Sequence, residues 1–476
     1  MTLSLPSWTP EIVRRRSHLF LVLGLGLVLL LLTLHSFHGA KAPSHAEVLE
    51  HARRAMGERT VPEPMPGCPG FILGKNVSFT RRGPRILIST GAYNNVVDGV
   101  SKTLNRLVGD LQRRDFQVIV VAPTAAQPAL LHEGILYPAF SVSLPFRPEY
   151  RVALGLDKCS RQLFEAFDPD IVHIASPDYL GAKVQAWANS LNKPVACSYH
   201  TRFNSYLPYY IGSGNFLTPV DSAVWAWMRS FYNLCHHTYP PTPSVAQELQ
   251  EHKITSEMRL WPRGIDLALF NPGRRKKSIR EAWGVGDDTL VVLTVSRLVW
   301  EKNLQEIIDT ITLLEEHGEP FKAVVVGDGP ARAAMETKLP HAIFTGFLGG
   351  TNLSEAFASA DIFFFPSLTE TWGAVTLEAM ASGLPVIVAD APGSKELVES
   401  GVTGYLVTPG RPMRWANAIT ELLHNEALRT RLGENCISKV ANSNSFTWKR
   451  ATNMLISHYR DLLDTNRRYK NLFEVE

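Results

Sequence analysis

Two glutamates and a glycine follow a strongly apolar segment of this sequence. The residues Ile362–Phe365 predict a buried strand, Glu370 falls in the turn after it, and Glu378 lies on the helix expected next. Gly373 lies near the start of that helix, where free backbone N–H groups and the helix dipole favour a phosphate. The two carboxylates themselves suit hydroxyl groups, as on a ribose and a sugar. The alternative interpretation is a solvated helix face that carries two glutamates.

A second polar group, Arg297 and Lys302, comes directly after the apolar run TLVVLTVS. Ligands of parallel α/β sheets lie beyond the carboxyl ends of the strands, so we expect both cations at a ligand site. Arginine forks onto phosphate oxygens, and lysine supplies a compact positive charge. Together they could neutralise a diphosphate leaving group. A surface salt bridge with Glu301 is the alternative.

Weaker signals come from four further positions. Gly99, in VVDGV, lies where the first predicted strand–helix unit opens and would offer backbone N–H groups to a ligand. His200, in CSYHTRF, follows an apolar strand and is either structural or a polar contact to a substrate. The turn VVGDGP ends another strand, but D-G is a common turn signal. Asp168 and Asp170 resemble a metal-binding D-x-D, but they precede a strand, and we interpret them as turn residues.

The composition excludes several classes of protein. The chain has 476 residues, of which 45% are hydrophobic and 20% charged, so it is not disordered, collagen-like or a coiled-coil rod. Its 48 basic and 45 acidic residues give a net charge of +3, which does not indicate a nucleic-acid binder. No P-loop, no dinucleotide fingerprint after the first strand, and no H-E-x-x-H or G-x-S-x-G motif is present. The five cysteines are far apart and include no C-x-x-C pair, so we expect neither a disulfide framework nor a zinc site.

Short apolar runs alternate with amphipathic stretches from Arg85 onward. This alternation predicts an α/β fold with parallel sheets covered by helices on both faces. Two such series are present, and the segment 263–280, rich in Gly, Pro and charge, separates them. We therefore expect two Rossmann-like, doubly wound domains, at 85–265 and 266–476, the second with a final crossover helix. If they face each other, the ligand belongs in the cleft between them.

The N-terminal region predicts a membrane anchor. Residues 19–34 carry no charge, and the stretch to residue 37 is at the short end of the length that spans a bilayer. Three arginines precede it and only Lys41 follows closely, which predicts a cytosolic tail at 1–18, a transmembrane signal-anchor at 19–37 and a stem at 38–84. A cleaved signal peptide is the alternative. We expect a single-pass type II protein of the Golgi or endoplasmic reticulum, or, in the reverse orientation, domains on the cytosolic face. Sequons at Asn76 and Asn352 would allow glycosylation in a lumen.

Together these motifs resemble the retaining GT-B glycosyltransferases of family 4. The resemblance covers about residues 85–463 and rests on E-x(7)-E at Glu370 and Glu378 and on SRL-x-x-EKN around Arg297. RGID at 263–266, GDGP at 327–330 and GLPVI at 383–387 also match. The segments DGVSKTLNRLVGDLQRR and SYHTRFNSYLPYY are most similar to the mannosyltransferase and sulfoquinovosyltransferase branch. The sequence departs from the family at Gly393, where many members have a pair of glycines.

The resemblance implies a role for each residue of the site. Arg297 and Lys302 would hold the donor diphosphate. The family retains the anomeric configuration, uses no protein nucleophile and needs no metal or other cofactor. The remaining implied contacts are Glu370 and His200 with the donor sugar, Glu378 with the ribose, the backbone of Gly373, Ala374 and Val375 beside Glu370, Gly99 on the phosphate and acceptor side, and Gly346 and Phe347 with the base.

The same branch favours GDP-mannose as the donor, with a UDP-sugar as the alternative. The implied enzyme is a membrane-anchored, metal-independent hexosyltransferase that moves α-mannose to a lipid, a glycan or an apolar small molecule. Four aromatic residues, Phe203, Tyr206, Tyr209 and Tyr210, could flank the acceptor or belong to the core. Other hypotheses are a UDP-sugar-dependent glycolipid synthase of the sulfoquinovosyl or glucosyl type, a GT-B phosphorylase or epimerase, and a non-catalytic membrane protein that binds sugar nucleotides. We expect no nucleic-acid partner.

Overall fold

The computed structural model describes residues 61–77, 83–125, 127–144, 147–202, 217–442 and 446–473. The predicted tail and membrane anchor, residues 1–37, lie outside the described residues, as do the four aromatic residues between 203 and 210. Of the helices that are described, none combines the length and the apolar character needed to cross a bilayer.

Strands and helices alternate along most of the chain, as the apolar runs predict. The strands are β1 (Ile72–Leu73), β2 (Arg85–Ser89), β3 (Gln117–Pro123), β4 (Ile135–Ala139), β5 (Ser141–Leu144), β6 (Arg147–Ala153), β7 (Ile171–Ile174), β8 (Val195–Ser198), β9 (His237–Tyr239), β10 (Glu257–Met258), β11 (Leu290–Val295), β12 (Phe321–Val326), β13 (Ile343–Gly346), β14 (Ile362–Phe365), β15 (Val386–Ala389) and β16 (Gly404–Val407). The helices are α1 (Gly99–Arg113), α2 (Lys158–Phe167), α3 (Tyr179–Ser190), α4 (Leu217–Tyr232), α5 (Pro243–Glu251), α6 (Lys277–Ala282), α7 (Leu304–Glu316), α8 (Arg332–Lys338), α9 (Gly350–Ser359), α10 (Ala374–Ala381), α11 (Pro412–His424), α12 (Glu426–Asn442) and α13 (Trp448–Phe473).

A six-stranded sheet in the order β13-β12-β11-β14-β15-β16 is parallel throughout. Its strands are almost continuously apolar because both faces are covered. Within β11, Val291 and Leu293 pack into the core on one face, and Val292 packs into the core on the other. The chain order reverses between β11 and β14, which are neighbours, so their carboxyl ends flank a topological switch point. The predicted parallel α/β architecture is confirmed.

The other large sheet has the order β1-β4-β3-β2-β7-β8-β9-β10. Strand β1 is antiparallel to β4, whereas β2 is parallel to both β3 and β7. A separate antiparallel hairpin consists of β5 and β6. Strand β1 comes from the segment predicted as a stem, so part of that segment has a place in the sheet.

The described chain forms two compact units whose sequences interleave. The first contains the described residues up to Val96, then Gln112–Val195, and then the described residues up to Leu234. The second contains Val97–Leu111, Ala196–Arg202 and the described residues from Cys235 onward. The residues for which the sequence predicts contacts with the phosphates, ribose, base or donor sugar all belong to this second unit.

The cysteines contradict the expectation that no disulfide is present. Cys68 is bonded to Cys159 in the first unit, and Cys197 is bonded to Cys235 in the second. The sequence separations are 91 and 38 residues, so only folding reveals these pairs. Cys436 is a buried free thiol. The expectation was wrong because the absence of a short spacing motif says nothing about cysteines that the fold brings together.

Helix α13 binds distant parts of the second unit. The Thr452 hydroxyl donates a hydrogen bond of 2.9 Å to Asp110, which lies 342 residues earlier. The Arg259 guanidinium forms an ion pair of 2.9 Å with Asp461. Leu455 is completely buried. The last helix is therefore a component of this unit rather than an appendage.

Candidate active site

The site begins where β11 and β14 end. Lys302 lies in a short 3-10 helix after β11, and its Nζ lies 2.6 Å from Glu370 Oε1 in the loop after β14. The Ser367 hydroxyl donates a hydrogen bond of 2.9 Å to the same oxygen. Lys302 Nζ also lies 3.3 Å from Thr369 Oγ1. Two residues that are 68 positions apart in the sequence thus meet at the switch point.

This arrangement keeps Glu370 ionised. Burial raises the pKa of Glu370, but the charge and hydrogen bond of Lys302, the hydrogen bond of Ser367 and the charge of Arg297 outweigh it. The pKa of Glu370 therefore lies below its usual range. An ionised carboxylate accepts hydrogen bonds and donates none, which suits recognition of hydroxyl groups.

The GDGP turn positions the segment that carries Arg297. Gly327 and Gly329 have φ values of 139° and 157°, which favour glycine. A Cβ added to Gly327 would lie 1.7 Å from the Ser296 carbonyl oxygen, so the two backbones are in direct contact. The Leu298 N–H donates a hydrogen bond of 2.9 Å to the Asp328 carbonyl. A turn that looks unspecific in the sequence is thus a support for the cation at the end of β11.

Two glycines shape the loop that carries Glu370. Gly393 has a φ of 87°, and a Cβ there would lie 2.4 Å from the Glu370 carbonyl oxygen. Gly373, with a φ of 74°, directly precedes α10, and a Cβ there would lie 3.1 Å from the Gly393 carbonyl oxygen. Ala374 is exposed and Val375 is half-buried at the start of that helix. The single glycine at 393 thus allows this close approach to the Glu370 carbonyl.

Glu378 lies one turn into α10 and is half-buried. Burial raises its pKa to about 7, although Lys102 opposes that rise. Lys102 belongs to α1, whose first residue is Gly99. A Cβ added to Gly99 would meet nothing within 4 Å, so the helix begins beside open space. The charge of Lys102 on α1 is therefore close enough to affect Glu378 on α10.

His200 is bound to the same loop as Glu370. The Thr371 hydroxyl donates a hydrogen bond of 3.0 Å to the His200 carbonyl. Arg202 follows two residues later. It donates a hydrogen bond of 3.0 Å to the Leu368 carbonyl and forms an ion pair of 2.6 Å with Glu248. The segment 200–202 is therefore fixed against the loop after β14.

Arg263 is a site residue that sequence reasoning missed. It belongs to the RGID motif, which looked like part of a polar linker, yet its side chain is buried. Its Nη2 donates a hydrogen bond to His200 Nδ1, and its guanidinium lies 5.5 Å from the centre of the Trp261 ring. Burial lowers the pKa of Arg263 to about 10, so it remains charged at neutral pH. The motif match to RGID was the available signal, but nothing in the sequence showed burial.

Gly346 and Phe347 lie apart from these contacts, at the end of β13. Gly346 accepts a hydrogen bond of 2.9 Å from the Gly327 N–H, which joins the end of β13 to the GDGP turn. The Phe347 side chain is 64% exposed.

Two other expectations concern Glu301 and metal ions. The alternative of a surface salt bridge with Glu301 does not fit the structure, because the Glu301 side chain is buried. Over the described ranges, no group of three or more His, Cys, Asp and Glu side chains is arranged to hold a metal ion.

The chain matches two family models that together span the described site. Residues 97–269 match Glycosyltransferase Family 4, and residues 275–439 match Glycosyl transferases group 1. A GDP-mannose-dependent alpha-mannosyltransferase of Mycolicibacterium smegmatis is 32% identical over 392 residues, which cover 80% of this chain and 98% of that enzyme. This chain is a family 4 glycosyltransferase. The sulfoquinovosyl transferase SQD2 of Arabidopsis thaliana is 30% identical over 365 residues, 75% of this glycosyltransferase and 69% of that protein.

Solved structures show the same fold. A sucrose-phosphate synthase from Thermosynechococcus elongatus superposes on this glycosyltransferase with a TM-score of 0.62 at 18% identity, covering 80% of this chain and 100% of that one. Anabaena HepE in complex with UDP and glucose gives a TM-score of 0.62 at 17% identity, with the same coverage. The predicted GT-B fold of this glycosyltransferase is thus confirmed.

The predicted location of this glycosyltransferase is wrong. A type II protein of the Golgi or endoplasmic reticulum was expected from the apolar segment at 19–37. No helix within the described ranges could cross a bilayer, and the relatives reported above are a bacterial and a plant enzyme. A run of apolar residues was insufficient ground for naming a compartment.

Proposed function

We propose that this glycosyltransferase moves an α-mannosyl group from GDP-mannose to a lipid, glycan or apolar small-molecule acceptor, with retention of configuration and without a metal. The observation that carries the proposal is the Lys302–Glu370 pair, with Arg297 in electrostatic range, at the switch point between β11 and β14. Similarity to GDP-mannose-dependent enzymes supports the choice of donor.

The charges divide the work between the two ends of the donor. Arg297 and Lys302 would bind the diphosphate, where negative charge develops as the bond to the sugar breaks. Glu370 is an ionised acceptor and would bind the hydroxyls of the mannose. Glu378 would accept hydrogen bonds from the ribose, and the backbone at 373–375 would offer N–H groups.

The reaction then requires few protein groups. The bond between the anomeric carbon and the phosphate oxygen breaks, and its electron pair leaves with the diphosphate. The acceptor oxygen attacks the same face, and its proton passes to a phosphate oxygen of the leaving group. Atoms and charge balance without a protein nucleophile, and Glu370 stays engaged with Lys302 and Ser367.

A UDP-sugar-dependent glycolipid synthase is the second candidate. It is supported by the similarity to SQD2 and to the alpha-monoglucosyldiacylglycerol synthase of Streptococcus pneumoniae, which is 27% identical over 332 residues. The two candidates differ in donor and acceptor but use the same phosphate and hydroxyl contacts.

The deciding experiment measures thermal shift and slow donor hydrolysis of the full chain with GDP-mannose and a panel of UDP-sugars. Arg297→Ala is the test variant, and Arg161→Ala, at an exposed position on α2, is the control. We expect stabilisation and hydrolysis with GDP-mannose alone, lost in Arg297→Ala and kept in Arg161→Ala. Preference for a UDP-sugar would favour the second candidate. No response to either nucleotide class would overturn both.

A further inference from the structure

The contacts around His200 form a buried cluster of three side chains, His200, Arg263 and Trp261. Their exposed fractions are 9%, 9% and 2%. The rings of His200 and Trp261 meet edge to face with centres 5.7 Å apart, and the Arg263 guanidinium lies over the Trp261 ring. These contacts fix the plane of the imidazole.

The Arg263–His200 hydrogen bond fixes where the imidazole proton lies. A guanidinium has only N–H groups and cannot accept, so His200 Nδ1 must accept the bond from Arg263 Nη2. A neutral imidazole that accepts at Nδ1 carries its proton on Nε2. His200 is therefore a donor at Nε2 and cannot take a proton there as a general base.

The charges around His200 oppose a second proton on the ring. The guanidinium of Arg263 touches the imidazole directly, and like charges at this distance disfavour the protonated form. On its own segment, Arg202 adds another positive charge that is paired with Glu248. On the loop that contacts His200, Glu370 carries the negative charge, but it is paired with Lys302. Arg202 and Lys302 are thus paired with carboxylates, whereas Arg263, which contacts the imidazole, has no carboxylate partner among the described ion pairs.

Arg263 differs from an arginine that only supports the backbone. Its Nη1 has no hydrogen-bond partner within the described residues, and its Nη2 is used on His200. A buried charge with so little compensation is expensive to retain. Its retention is explained if the function depends on the state of His200.

We propose that Arg263 is a positioning residue that holds His200 neutral, with its Nε2–H as an obligatory hydrogen-bond donor to an oxygen of the donor sugar. This inference rests on the proposed function, because it assigns His200 to the sugar that Glu370 also contacts. The connection is structural: the His200 carbonyl is bonded to Thr371, the residue next to Glu370.

The first test reads the proton directly and needs no turnover. The full chain is labelled with ¹³C-histidine, the His200 signal is assigned with His200→Gln, and its Cδ2 shift is followed from pH 5.5 to 8. We expect the Nε2–H tautomer and no titration near the ordinary histidine pKa of about 6.5. In Arg263→Leu, His200 should titrate in that range and populate both tautomers. An Nδ1–H tautomer in the wild type, or titration at or above about 6.5, would overturn the proposal.

The second test separates positioning from packing through two variants. Arg263→Gln keeps an N–H donor for Nδ1 without the charge, and Arg263→Leu removes both. We expect Gln to retain donor hydrolysis within a few-fold at pH 8 and to lose it below about pH 6.5. There His200 can charge, and although it keeps its Nε2–H, its positive charge would oppose the positive charge that develops on the sugar. We expect Leu to lose about 100-fold at every pH. Arg161→Leu is the control, since this arginine is exposed on α2 and lies outside the cluster.

The outcomes are distinguishable. Equal losses in Gln and Leu with an unchanged pH profile would show that Arg263 is only structural. If the wild type hydrolyses no sugar nucleotide, the proposed function fails, while the histidine shifts still decide the state of His200.

Discussion

Two buried arginines of the second unit are held in opposite ways. Arg280, near the amino ends of β11 and β14, is 1% exposed and donates to Asp361 at 3.0 Å and to the Ser359 carbonyl at 3.0 Å. It also donates to the carbonyls of Gly286 and Thr289 at 2.7 and 2.5 Å.

Arg263, in contrast, has a histidine as its acceptor and no carboxylate among the described ion pairs. One arginine is compensated on two sides by backbone and acid, and the other depends on a residue of the candidate site. The difference teaches that burial alone does not reveal a role. A charge whose partners are all structural supports the fold, whereas a charge that local rules disfavour points to function.

The largest effect is expected when Arg280, the arginine with carboxylate and carbonyl partners, is replaced. Arg280→Met removes one of the two arginines paired with the Asp361 carboxylate, which keeps Arg275 and the Val291 N–H, and it orphans several carbonyls. We therefore expect a loss of about 3–5 kcal/mol in the free energy of unfolding. Urea titration measures it, with Lys277→Met at an exposed position of α6 as the control. The loss should exceed that of Arg263→Leu. An equal or smaller loss would remove the contrast between the two arginines.

Next in size is the cation at the end of β11. We expect Lys302→Ala to lower kcat/KM for donor hydrolysis by about 10²–10³-fold, because charge stabilisation on the leaving group is lost. Lys338→Ala, exposed on α8, should be unchanged. A double variant with Glu370→Ala shows whether the loss comes from an uncompensated carboxylate. Recovery of activity in that double variant would contradict a direct role for Lys302.

A smaller effect should follow from a methyl group at Gly393. Ala there would meet the Glu370 carbonyl and require an unfavourable φ of 87°, so we expect about 1–3 kcal/mol of lost stability and a raised KM for the donor. Gly286→Ala is the matched control, because its Cβ meets nothing within 4 Å. Calorimetry and steady-state kinetics measure the two consequences. Unchanged KM would show that the loop tolerates displacement of Glu370.

The smallest effect concerns Glu378, whose pKa is raised to about 7 by burial. The folded state therefore holds this proton more tightly than the unfolded state does, and its contribution to stability is lost as the pH rises from about 4.5 to about 7. Glu378→Gln should match the wild type at the acid end and melt a few degrees higher at pH 8. Glu316→Gln, exposed at the end of α7, should show no such difference. A constant gap across the pH range would contradict the raised pKa.

The strands of the second unit were predictable from the sequence because buried parallel strands leave apolar runs. The apolar runs TLVVLTVS, FKAVVV and DIFFF each contain an observed strand. The first and third runs are followed by the loops of Lys302 and Glu370, and the second by the GDGP turn that supports the end of β11. The pairing of Lys302 with Glu370 was not predictable in geometry, since it depends on β11 and β14 being neighbours. Sheet order is decided by packing between distant segments.

The burial of polar motifs was the other feature that could not be predicted from the sequence. Arg263 stands among Gly, Pro and charged residues, a composition typical of exposed links. Its burial against Trp261 is seen only in the structure. The Cys197–Cys235 bond was missed for a similar reason, because two cysteines 38 residues apart give no spacing signal. Long-range contacts, not local preference, produced both features.

The interleaved second unit has a consequence for synthesis. Its earliest segment, 97–111, is held in part by Thr452, and Arg259 is paired with Asp461 on the same last helix. During synthesis this unit therefore cannot be completed until the residues of α13 have been made. Until then, α1 and β9 lack their contacts with α13. A chain that stops before residue 448 would leave those surfaces exposed.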